Sequence, residues 1–225
     1  MNIIKKLFNK LNKQKQPNEV VELKKEKDIM DYIYDKTNSP TPEMLSKIDY
    51  NKIGEVEIKG NLNSDKTILL LDDIPYTELL YFEDVKKIKK EYNYDVYDLY
   101  KIVRCLGPNA GFLAYKYFVL DKNSCDIGIL DITLGHRVHV TGSWYMELDG
   151  IDIAKYISNL NPNFRFVLCT AHTINKTNYI VNTYDKKCQK LFSKPLEYYY
   201  LNKNSDRWIE LYKKFVGDPN KDSVW

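Results

Sequence analysis

Ile68-Leu69-Leu70-Leu71-Asp72-Asp73 is a short apolar run that ends in two acids. Three further segments repeat this form. They are Ile127-Gly128-Ile129-Leu130-Asp131, Phe164-Arg165-Phe166-Val167-Leu168-Cys169-Thr170-Ala171, and Leu191-Phe192-Ser193-Lys194-Pro195. Short apolar runs without polar alternation, set between helix-like segments, read as parallel strands buried on both faces. In an open α/β sheet, polar groups at the carboxyl ends of such strands converge on one crevice. The pattern therefore predicts three carboxylates, a hydroxyl and an ammonium in one pocket, suited to a divalent metal and a phosphoryl group.

From Thr67 onward strands and helices alternate, which predicts a parallel sheet covered on both faces. The reading has strand 67–72, helix 76–91, strand 95–103, helix 109–121 and strand 126–131. It continues with helix 150–160, strand 164–169, helix 173–187, strand 190–193 and helix 197–215. The chain divides into an N-terminal extension over 1–65, a main domain over 66–216 and a tail over 217–225. Within the extension, residues 1–18 hold five lysines and no acid, with Ile3, Ile4, Leu7, Phe8 and Leu11 at helical spacing. This basic amphipathic segment suits peripheral contact with an anionic membrane through residues 1–12, docking on a partner, or packing on its own domain. Asn18 caps a second, highly charged helix to Lys36, and Thr41-Pro42-Glu43 starts a short third one. Val56 to Lys66 reads as a connection to the main domain.

The bulk numbers set limits. The chain has 225 residues and is 44% hydrophobic, enough for a packed core. A net charge of +3 gives no case for nucleic-acid binding. Cys105, Cys125, Cys169 and Cys188 form no Cys-x-x-Cys, and two fall in or beside expected strands, so reduced thiols in a cytoplasmic protein are expected. No apolar stretch approaches the ~20 residues that span a bilayer. Neither a secretion signal nor a DNA-binding output domain is expected.

The order Asp72-Asp73, Asp131, Thr170-Ala171 and Lys194-Pro195, with Leu148-Asp149-Gly150 ahead of the third helix, resembles the receiver domain of two-component response regulators. The resemblance implies a flavodoxin-like (βα)5 doubly wound sheet with strand order 2-1-3-4-5 behind a helical extension. It implies that Asp131 is the phospho-acceptor. It also implies that Mg²⁺ is held by Asp73, Asp131 and the carbonyl of Thr133, with Asp72 acting through a water. Lys194 would pair with the acceptor and then with a phosphate oxygen, across a cis Lys194–Pro195 bond, and Thr170 would turn to the new phosphoryl group. A histidine kinase or phosphotransfer protein would be the donor. Output would pass to a downstream partner or through a homodimer. Taken singly the residues have plainer readings: Asp72 and Asp73 suit a turn, Asp131 and Thr170 helix caps, and Lys194 a surface charge.

Three features depart from the family. Asp131 precedes Gly150 by nineteen positions, well beyond the usual spacing, and Gly135 to Gly142 alternates like a small hairpin that could bring His136, Arg137 and His139 over the site. Three residues before Lys194, where the family usually has Tyr or Phe, stands Leu191. Thr133 and His172 occupy the positions that usually tune phosphate lifetime. The leading expectation is a stand-alone receiver. The alternative is a receiver-like interaction module not controlled by phosphate, which would have no chemical need for the site residues. An aspartyl phosphatase of the haloacid dehalogenase type is disfavoured, because Asp131-Ile132-Thr133 lacks the second acid of Asp-x-Asp.

Overall fold

The computed structural model describes residues 38–74, 96–134, 138–139, 145–170 and 179–202. In chain order the elements are α1 Pro42–Leu45, β1 Glu57–Gly60, β2 Thr67–Asp72, α2 Val96–Leu99, β3 Lys101–Leu106 and α3 Ala110–Ala114, which continues as a π-helix over Tyr115–Leu120. There follow β4 Ile127–Asp131, β5 Val138–His139, β6 Tyr145–Met146, α4 Gly150–Leu160, β7 Arg165–Thr170, α5 Tyr179–Phe192, α6 Leu196–Tyr199 and β8 Tyr200–Asn202.

Every residue of β2 and of β4 is buried, as strands covered on both faces must be. Five strands are parallel, in the spatial order β3-β2-β4-β7-β8. Numbered by chain order among themselves, that is 2-1-3-4-5, the doubly wound order with its switch point between β2 and β4. The sheet has one strand more than the alternation predicts. β1 pairs antiparallel with β3 at the outer edge, Glu57 opposite Arg104, and their side chains form an ion pair. The segment read as a connection is thus an edge strand. Its Val56-Glu57-Ile58-Lys59 alternation is the period-2 signal of a half-exposed strand. Gly60 closes it at φ 77°, where an added Cβ would lie 2.4 Å from the Tyr100 carbonyl.

Two other boundaries differ. The expected strand over 95–103 splits into α2 and a later β3, because Asn61 and Ser64 donate to the carbonyls of Asp98 and Leu99 and hold that stretch in a turn. The expected strand over 190–193 is the end of α5. Leu191 and Phe192 continue the helical stripe that buries Val181 and Cys188, and Ser193 stops the helix in the left-handed conformation at φ 57°. The strand that completes the sheet is β8, pairing Leu168 with Tyr200 and Thr170 with Asn202. The helix predicted from 197 therefore begins as the single turn α6. The Lys194–Pro195 bond is trans, since no described peptide bond is cis. The insertion after β4 does contain a hairpin, with Val138 paired to Met146 and His139 to Tyr145. The helices predicted over 76–91 and within 1–36, and the C-terminal tail, lie outside the described residues.

Residues 38–53 lie across the helices and share one compact unit with the sheet. Thr41 Oγ1 accepts from the Met44 amide to start α1, which buries Met44 and Leu45. Tyr50 stacks on Tyr115 at 6.2 Å, and Tyr115 meets Tyr156 edge-on at 5.0 Å. The Tyr156 hydroxyl donates to the Pro40 carbonyl, Lys190 donates to Asn38, and Asn109 donates to the Ile53 carbonyl. All four cysteines are buried free thiols. No helix among the described residues is long and apolar enough to cross a membrane.

Gly111 on α3 is where helix and loop approach most closely: a Cβ there would sit 2.0 Å from the Leu148 carbonyl oxygen. Alanine is the better helix former by about 1 kcal/mol, but backbone cannot yield as a side-chain tip can. Gly111→Ala is expected to lower the unfolding free energy by about 1–2 kcal/mol net in urea titration. A stabilised variant would mean that the Leu148 carbonyl is free to move.

Candidate functional site

β2 and β4 lie side by side with Leu71 opposite Leu130, so each strand delivers its next residue, Asp72 and Asp131, to the same end of the sheet. Both are buried, and Asp73 follows half-exposed. One carboxylate oxygen from each of the three lies within 4.8 Å of the others. The backbone aims two of them. Asp72 Oδ1 accepts from the Ile74 amide at 2.9 Å, and Asp131 Oδ1 accepts from the Thr133 amide at 3.1 Å. In each case a carboxylate folds back on the amide two residues along, the turn that aspartate favours. Cys169 pairs with Asp131, and its carbonyl accepts from the Ile132 amide at 3.0 Å, so Thr170, buried at the end of β7, lies one step beyond that pair.

Three carboxylates this close repel one another, on the order of 3 kcal/mol per pair at an effective dielectric of ~20. A cation offsets that cost. The donors are all hard oxygens, with two aspartates taken out of water and one left open to it. That suits Mg²⁺, which accepts one or two carboxylates and keeps several waters. Thr133 adds a buried hydroxyl with no hydrogen-bond partner among the described residues. The donor set thus fits the metal.

Lys194 does not belong to this group. It is exposed on the turn between α5 and α6, with Nζ 5.1 Å from the Tyr198 ring centroid. Phe192, two residues before it, packs at 5.2 Å on Phe166 near the start of β7. Thr170 is four residues further along that strand, roughly 13 Å at the rise of an extended chain. Lys194 is therefore at the amino end of the sheet and the acids at the carboxyl end. The lysine that follows the last strand is Lys203, directly after Asn202; it lies outside the described residues. The signal that would have found it is the run Tyr198-Tyr199-Tyr200-Leu201, rich in strand-forming aromatics. Lys194-Pro195 was the stronger local motif and drew the strand assignment to the wrong apolar pair.

A second charged cluster borders the first. Asp149 caps α4, with Oδ1 accepting from the amides of Ile151 at 2.9 Å and Asp152 at 3.0 Å. Asp152 Oδ2 returns to the Asp149 amide at 3.2 Å, closing a capping box. Lys187 of α5 places Nζ 2.7 Å from Oδ2 of both aspartates. Its side chain is only 2% exposed. Sequence reading missed Lys187, which sits in the run Asp185-Lys186-Lys187 and looks like part of a solvated face. Between the two clusters lies Tyr184, one turn before Lys187. Burial first, then the charges of Asp149, Glu147, Asp131 and Asp152, push its phenol far above the usual range.

Two carboxylates share one buried ammonium. Burial, then the Asp149 charge, raise Asp152 to about 7; at Lys187 burial pulls the ammonium down, and the charges and hydrogen bonds of Asp149 and Asp152 outweigh it and push it above its ordinary value. Between about pH 4 and about pH 7 the folded protein holds a proton on Asp152 that the unfolded chain releases, so this stabilisation is present in acid and lost as pH rises through 7.

No protein-family profile and no curated protein matches the chain. Among solved structures it is similar to a response regulator from Thermotoga maritima at 14% identity and a TM-score of 0.38, over 68% of this chain and 98% of that one. It is also similar to the N-terminal domain of a response regulator/sensory box/GGDEF protein from Carboxydothermus hydrogenoformans, at 20% identity and a TM-score of 0.36, over 66% and 97%. A BeF3-activated DrrB receiver domain aligns at 15% identity and a TM-score of 0.38, over 68% and 98%. The overall superpositions are low, and the fold rests on the strand order and register of this chain itself.

Two outcomes follow from the site. Adding Mg²⁺ at millimolar concentration is expected to raise the melting temperature of the wild type and not that of Asp72→Asn/Asp73→Asn, by ligand linkage. Equal shifts would place the metal elsewhere. Comparing unfolding free energies across the pH range, the wild type is expected to lose stability relative to Asp152→Asn as pH rises from about 4 to about 7, and to level off above that. A flat difference would mean that Asp152 is already ionised in acid.

Proposed function

We propose that this protein is a receiver that takes a phosphoryl group on Asp131 and signals through its own surface. The observation that carries the reading is the meeting of Asp72, Asp73 and Asp131 within 4.8 Å at the carboxyl ends of neighbouring parallel strands, with Thr170 one strand further. An Asp131 carboxylate oxygen attacks the phosphorus of a phosphohistidine, from a histidine kinase or phosphotransfer protein, or of a small phosphodonor. The new O–P bond forms as the donor bond breaks, and the leaving group takes its proton from solvent. Bound Mg²⁺, held by Asp73, Asp131 and the Thr133 carbonyl with Asp72 through water, would supply the charge that lets a phosphoryl group approach three acids.

The chain's own residues do the rest. The Thr133 amide orients the acceptor by its bond to Oδ1. The Thr170 hydroxyl, buried at the end of β7, turns to the new phosphoryl oxygens. The ammonium role moves from Lys194 to Lys203. With that reassignment the residue three places earlier is Tyr200, the aromatic that the family usually has there and that Leu191 did not supply. The buried free cysteines suit a reducing, cytoplasmic setting. Membrane contact through residues 1–12 and homodimerisation stay secondary proposals.

The test is intact mass after treatment of the full chain with a small phosphodonor and Mg²⁺. Wild type is expected to gain one phosphoryl group and Asp131→Asn none. Lys203→Ala is expected to slow the gain at least tenfold, and Lys194→Ala to match wild type. Labelling that survives Asp131→Asn would move the acceptor. No gain in wild type, where control receivers react, would favour the interaction module that phosphate does not control.

A further inference from the structure

We infer that Lys187 is a positioning residue for the acceptor site, holding the start of α4 against Asp131 and tying it to α5. The inference rests on the receiver reading above and adds to it a residue on a helix remote from the strand ends.

The geometry runs through three residues. Leu148-Asp149-Gly150 is wedged between α3 and β4. A Cβ on Gly111 would meet the Leu148 carbonyl at 2.0 Å, and a Cβ on Gly150 would meet the Asp131 carbonyl at 2.3 Å. The segment therefore has almost no freedom normal to the strand. Its middle residue, Asp149, has both carboxylate oxygens engaged: Oδ1 by the first amides of α4, Oδ2 by Lys187. The second bond from Lys187, to Asp152 one turn on, fixes the direction of approach as well as the distance. α5 is thus tied to the residue next to the one that touches the acceptor backbone. α5 is also the first described element after Thr170, so the tie joins the helix behind the hydroxyl to the strand that carries Asp131.

An ionic tie here is not explained by stability alone. Burying an ammonium with two carboxylates costs desolvation that apolar side chains of similar volume would not incur. What the ions add is definition: an apolar contact tolerates sliding of about an ångström, whereas one Nζ shared by two oxygens at 2.7 Å does not. Misplacement of reacting groups on that scale is costly to rate.

The experiment compares wild type with the double variant Lys187→Met/Asp152→Leu, which removes the tie while leaving Asp149 to cap α4. Three quantities are measured: the melting temperature, the Mg²⁺ half-saturation, and the rate of phosphoryl gain at saturating donor and Mg²⁺. A melting temperature close to wild type, with a rate at least tenfold slower and a weaker Mg²⁺ half-saturation, is the expected result. A stable variant with unchanged rate and metal affinity would overturn the inference and leave Lys187 as a packing residue. If the double variant does not fold, Asp152→Asn keeps the Lys187–Asp149 bond and takes the second carboxyl out of the tie. It is expected to show the same slowing in smaller degree, and a wild-type rate there overturns the inference equally. Failure of the receiver reading has a different signature, no phosphoryl gain or metal response in wild type itself, and it removes the inference with it.

Discussion

The parallel pairing of β2 with β4 is the constraint on which the rest depends. Leu71 opposite Leu130 sets two aspartates level at one end of the sheet, and a slip of one residue would turn one of them to the other face. The register is held by apolar burial on both sides. Ile68, Leu69, Leu70 and Leu71 are at most 2% exposed, as are Ile127 and Leu130, so a shifted strand would carry an acid into the core. Charges that repel one another are in this way kept together by groups that have no charge.

Around that sheet three glycines let neighbouring groups approach closely. Gly128 leaves room for the Phe164 ring, Gly111 admits the Leu148 carbonyl and Gly150 admits the Asp131 carbonyl. Each is a position where a methyl group would collide within 2.5 Å. The N-terminal segment then covers the helices from outside through Pro40, Tyr50 and Ile53. The layers are tight around β4, so a displacement of α5 reaches Asp131 through atoms already in contact.

Much of this was legible in the residue order. The buried strands 67–72 and 126–131, the helix 150–160, the parallel topology and the hairpin after Asp131 all follow from periodicity and turn chemistry, which act over a few residues. The acids of the site were legible for the same reason: Asp72 and Asp131 end buried strands, and Asp73 follows the first of them. Lys194 was misplaced because Leu191-Phe192 suits a strand end or a helix end equally well, and only the pairing of β7 with Tyr200–Asn202 decides between them. β1 differs from the expected connection because four largely exposed residues form a strand only when β3 offers its edge.

By itself, then, the sequence determined which segments are strands buried on both faces and which acids stand at their ends, because burial and turn chemistry are properties of neighbouring residues. Only the tertiary structure decided that Lys187 is buried between those aspartates, that Lys194 lies at the far end of the sheet, and that residues 38–60 belong to the main unit. Each of these depends on a partner distant in sequence, and no local pattern carries the free energy of a contact that forms only when the sheet has closed.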